Sequence, residues 1–139
     1  MLTHLYTTFD KSFYAGFALK VVDGAKLGDS ICIQAFQQAG TDLGRHIVAV
    51  APNITEPLRA AGLTVICIGS VWKSWELMKD AFLQTLKRSP HVPTTIKLLR
   101  LTESGAPGAA FLAAKKVGTH MTLDYAANTT LLCECTIRG

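Results

Sequence analysis

Apolar residues recur along most of the chain at helical or strand intervals, and the changes of period mark out its elements. Thr7, with Asp10 three positions on, forms a capping-box pattern, and Phe13, Phe17 and Val21 follow at intervals of four. This predicts a helix with one core-facing stripe, punctuated at its end by Gly24 and Gly28. Asp29 or Ser30 can cap a second helix that carries Cys32, Phe36, Ala39, Leu43, Ile47 and Val50 at intervals of three and four. Pro52 should stop it, because proline lacks the N–H that a helix interior needs. At a rise of about 1.5 Å per residue, these two helices would each be roughly 25 to 35 Å long.

A loop over residues 51–62 leads to Thr64, Val65, Ile66, Cys67 and Ile68, a run too continuously apolar to keep one face in water. It reads as a central parallel strand. The strand passes through Gly69 and Ser70 into a helix whose stripe is Val71, Trp75, Met78, Phe82 and Leu86. Trp75 falls on that stripe and so reads as core, whereas Trp72 could be core or a stacking platform. After Pro90 and Pro93, a second strand is predicted over residues 95–101, and Gly105, Ala106, Pro107 and Gly108 open an alanine-rich helix that Gly118 ends. Strand, helix, strand and helix in that order imply parallel strands joined by crossover helices. Residues 129–137 could add a further strand.

Two or three strands with four helices leave a buried-type sheet with an unpaired edge, which isolated domains avoid. The chain therefore reads as part of a larger α/β domain. With 49% hydrophobic and 17% charged residues in 139, its composition is that of a globular chain with one core. No apolar run approaches the ~18 residues needed to span a bilayer, and the start lacks the regions of a secretory signal, so no membrane partner is expected and the location reads as cytoplasmic. Cys32, Cys67, Cys133 and Cys135 form no regular framework and read as reduced thiols; tetrahedral zinc would want four ligands.

The net charge of +4 raises the question of nucleic acid. The pairs Lys87-Arg88 and Lys115-Lys116 instead fall at predicted helix C-termini, where cations offset the helix dipole, so nucleic acid is not expected as a partner. There is no Gly-x-x-x-x-Gly-Lys-Ser/Thr loop and no dinucleotide Gly-x-Gly-x-x-Gly turn. No residue is assigned a catalytic or metal-ligating role. The one ligand-capable junction is Gly69-Ser70: glycine lets a group approach the backbone, and Ser70 can cap a helix whose free N–H groups attract anions.

Residues 69–76, together with Leu2-Thr3-His4-Leu5-Tyr6, Phe9-Asp10-Lys11, Ala15-Gly16-Phe17, residues 43–50, Asp124-Tyr125 and Ala127-Asn128, resemble the C-terminal part of eukaryotic N-acetylglucosamine kinase. That family belongs to the sugar-kinase/actin superfamily, with the BadF/BadG-type ATPases. The resemblance implies an incomplete ribonuclease-H-like (actin/hexokinase-type) C-terminal domain, with parallel strands and crossover helices preceded by two long helices. It implies transfer of the γ-phosphoryl of ATP to the 6-hydroxyl of N-acetylglucosamine with Mg²⁺, in an enzyme that is a homodimer at full length. By positional likeness, Ala15, Ser70 and Ser74 match residues that contact ATP, with Gly69 beside them; Ser70 and Ser74, one helical turn apart, would face the nucleotide from the same side. The family's phosphate loops, catalytic aspartate and sugar contacts would lie upstream of Met1, so the fragment alone is expected not to turn over. The alternative is a non-enzymatic binding or dimerisation module derived from the kinase.

Overall fold

The computed structural model describes residues 11–124 and 126–138, with side chains from residue 16 onward. In chain order the elements are α1 (Lys11–Lys26), α2 (Ser30–Val50), a 3-10 turn (Ala51–Asn53), α3 (Glu56–Ala61), β1 (Leu63–Cys67), a second 3-10 turn (Ser70–Ser74), α4 (Trp75–Lys87), β2 (Thr95–Leu101), α5 (Ala106–Lys116) and β3 (Thr129–Thr136). The predicted capping box at Thr7 and Asp10 lies outside the described residues.

Helix α1 runs two residues past Gly24 and ends in a left-handed residue, Gly28 (φ +89°). The Gly28 N–H donates to the Ala25 carbonyl and the Asp29 N–H to the Gly24 carbonyl, the paired bonds that close a helix around a C-terminal glycine. Asp29 then begins α2 at once, its carboxylate accepting from the Cys32 N–H at 2.8 Å. This bond also holds the Asp29 carboxyl below its ordinary range. The single stripe expected on α1 is not followed throughout: Phe17 is 62% exposed, and contact with the core comes from Val21, Val22 and Ala25 in the last two turns.

Along α2 the fully covered positions are Phe36, Gly40 and Gly44, with Ala39, Leu43 and Ile47 half-buried to one side and Val50 exposed. The stripe is thus rotated from the predicted one, because α4 packs onto the two glycines. The α2–α4 pair covers one face of a three-stranded sheet ordered β1-β2-β3, with β1 parallel and β3 antiparallel to β2. In register on that inner face are Val65 and Leu98, then Leu63, Ile96 and Cys135, with Cys133 opposite Leu98. These residues join Trp72, Trp75, Met78, Phe82 and Leu86 in one core. Trp72, left open by the pattern, is therefore core; both indoles lie near the edge of Phe82, at centroid distances of 6.0 and 5.3 Å.

Strand β1 departs from the expected central, doubly covered strand. Among the described residues it pairs with β2 alone, and alternation leaves Ile66 48% and Ile68 67% exposed on the outer face, with the similarly exposed Leu131 across β2. The start of α5 lines one end of that face. Among the described residues both outer strands have one neighbour each. The fold is mixed α/β with one parallel pair. Pro107 sits in the first turn of α5 and Gly118 (φ +72°) after its end, as predicted. Cys133 and Cys135, read as free thiols, are bonded to one another on the covered face of β3, where i and i+2 point the same way; Cys32 and Cys67 are free.

Candidate functional site

Beyond the carboxyl end of β1 the chain turns at Gly69, whose φ of +106° and ψ of 163° are open to glycine and strained for side-chain-bearing residues. No atom lies within 4 Å of where a Cβ would stand. The space above Gly69 belongs to a cleft of about 300 Å³ lined by Gly69, Ser70, Lys73, Arg100, Leu101 and Thr102. Its walls come from the ends of both parallel strands, so crossover topology assembles it from residues 30 positions apart in sequence.

The segment after Gly69 is not the expected start of an α-helix. Ser70–Ser74 forms a 3-10 turn, α4 begins at Trp75, and neither Ser70 nor Ser74 caps through its side chain. With three residues per turn, positions i and i+3 eclipse while i and i+4 diverge. Ser70 accordingly shares the cleft with Lys73, while Ser74 is half-buried and absent from its walls. The shared face inferred for Ser70 and Ser74 gives way to a Ser70–Lys73 face. Ala15 lies in the second turn of α1, with its side chain outside the described ones.

Two neighbouring clefts touch this one. On the outer face, Ile66, Leu99, Leu101, Pro107, Leu123 and Asn128 contribute to an apolar cleft of about 250 Å³, separated from the first by Leu101, which lines both. On the other side, Lys73 and Arg100 border a cleft of about 270 Å³ that also has Trp72, Trp75, Glu76 and Leu131 on its walls. A larger groove, about 800 Å³, runs between α2 and α4, with Gln34, Gln37, Gln38 and Gln84 among its lining residues.

Lys73, Arg100 and Thr102 were not singled out from the sequence. Alternation along β2 could have placed Arg100 on the same face as Ile96 and Leu98, but not beside residue 69. Among the described residues, no group of three or more His, Cys, Asp or Glu is arranged to hold a metal ion. Asp124, unassigned by pattern, accepts from the Ala126 and Ala127 N–H groups at 3.0 Å each and so shapes the turn before β3. Burial pushes the Cys67 thiol up to about 11, which keeps it protonated and unreactive at neutral pH. Among the described residues, no helix is long and apolar enough to cross a membrane. No protein-family model matches the chain.

Proposed function

We propose that this chain is the ATP-binding half of an N-acetylglucosamine kinase, a cytoplasmic homodimer that in complete form transfers the ATP γ-phosphoryl group to the sugar 6-hydroxyl with Mg²⁺. The observation that carries the reading is the cleft at the carboxyl ends of β1 and β2, with the open backbone of Gly69 on its floor and Ser70 on its wall. Open α/β sheets bind ligands in the crevice outside the carboxyl ends of their strands. The likeness of residues 69–76 to the kinase family supplies the identity of the ligand, and with it the ribonuclease-H-like fold.

In this reading Gly69 admits the adenosine against the backbone, and the apolar cleft beyond Leu101 gives its base an adjacent surface out of water. Ala15 belongs to the same nucleotide side by family likeness, and Ser74 is half-buried at the end of the Ser70 turn, outside the cleft walls. The part this reading gives to the chain is positioning of the nucleotide, with the phosphate loops and catalytic aspartate supplied by the rest of the enzyme. A coupled ADP-release assay with N-acetylglucosamine tests that division: the 139-residue chain should bind ATP without turnover, and clear turnover would contradict it.

The exposed outer face at Ile66, Ile68 and Leu131 favours a second reading, a non-enzymatic dimerisation module. Light scattering separates the two, since a monodisperse dimer indifferent to ATP would support the second.

A further inference from the structure

Among the described residues, the two cations at the centre of the site have no protein partner. Arg100 is half-buried at the end of β2, yet among the described residues its guanidinium makes no hydrogen bond or ion pair, and the same holds for the Lys73 ammonium. Arginines drawn into a protein surface are ordinarily matched to carboxylates or carbonyls, because an unpaired charge loses hydration without compensation. Arg59 shows that habit here, donating to the His91 and Ala51 carbonyls. Arg100 and Lys73 instead both border two clefts. No carboxylate lines the Gly69–Thr102 cleft; Glu76 lines the neighbouring one and pairs with neither cation. The indole N–H of Trp75, on the wall of that second cleft, is also sealed from water without an acceptor.

We propose that Lys73 and Arg100 form a phosphate-binding site within the Gly69–Thr102 cleft, with the Ser70 and Thr102 hydroxyls as further donors. Two cations, two hydroxyls and no carboxylate suit a phosphate or pyrophosphate group, which offers several acceptor oxygens at once. A phosphate chain carried on a nucleotide and a free phosphate share this chemistry. The inference rests on the nucleotide reading only for the carrier; the cations would hold the oxyanion in either case.

The test is calorimetric titration of the 139-residue chain with pyrophosphate, inorganic phosphate, ATP and adenosine. Pyrophosphate and ATP should bind, and Arg100→Gln and Lys73→Gln should each weaken pyrophosphate about tenfold, the usual worth of a charged hydrogen bond. Lys87→Gln, which removes a distant charge from the end of α4, should leave it unchanged. Lys73 is exposed, so Lys73→Gln keeps the test decisive if Arg100→Gln does not fold. Absent pyrophosphate binding, or an equal loss with Lys87→Gln, would overturn the site. Adenosine binding without pyrophosphate binding would also overturn it while leaving the nucleotide reading in place. Pyrophosphate binding with ATP no tighter and adenosine inert would uphold the site with free phosphate as its ligand, and would remove the nucleotide reading instead.

Discussion

Gly40 of α2 lies directly over the backbone carbonyl of Met78 in α4, so close that a Cβ at position 40 would overlap that oxygen. Four residues on, Gly44 meets Thr85 and the Phe82 carbonyl in the same way. These glycines let the two helices approach at backbone distance, and the α4 side chains then reach Ile96 and Leu98 on the sheet. Gly40→Ala should lower the unfolding free energy by about 1–3 kcal/mol, because overlap with a rigid carbonyl outweighs the ~1 kcal/mol gained in helix propensity. Gly16→Ala, in α1 with nothing within 4 Å of the new Cβ, should instead stabilise by about 0.5–1 kcal/mol. Urea unfolding midpoints of the pair check the contrast.

Phe82 is fully buried, with Trp72 and Trp75 near its ring. Phe82→Ala should cost about 3–5 kcal/mol, and Phe82→Leu considerably less. The readout is the loss of near-ultraviolet circular dichroism from the tryptophans, together with the thermal midpoint.

The Cys67 thiol should make stability fall at alkaline pH. Its ordinary pKa is 9.0, and burial raises it to about 11 in the folded chain. The stabilising difference is complete below pH 9 and is lost as pH rises through 11, because over that window the unfolded chain sheds a proton that the folded chain retains. Cys67→Ala should lack this part of the decline in unfolding midpoints measured between pH 8 and 11. In the native wild type, alkylation of Cys67 should proceed only as fast as the chain opens.

Much of the fold was legible because it follows from local rules. Periodicity and breakers located every α-helix but the short α3, and β2 fell on the predicted residues. What escaped was set by partners distant in sequence. The α2 stripe shifted because Gly40 and Gly44 contribute no hydrophobicity to a pattern, although their spacing from Phe36 marks the same helical face. An apolar run in β1 could not reveal that Ile66 and Ile68 stay exposed among the described residues. At the site, Gly69 and Ser70 were legible as a junction, whereas Lys73 required the 3-10 geometry and Arg100 required the pairing of β1 with β2.

That geometry separates the two serines. On the kinase reading proposed above, Ser70→Leu in the complete enzyme should raise the KM for ATP about tenfold with little change for the sugar, equivalent to ~1.4 kcal/mol of lost binding. Ser74→Leu should act mainly on stability, since Ser74 is half-buried behind the cleft. Steady-state kinetics with each substrate varied in turn, alongside thermal midpoints, distinguishes these outcomes; an effect of Ser70→Leu on the sugar alone would take Ser70 out of the nucleotide site.

The most direct measurement is amide chemical-shift mapping of the 139-residue chain titrated with ATP. The nucleotide reading predicts saturable shifts centred on Gly69, Ser70, Lys73 and residues 100–102, the walls of one cleft assembled from the ends of two parallel strands. Shifts absent from these amides at saturating ATP, or confined to the groove between α2 and α4, would contradict it.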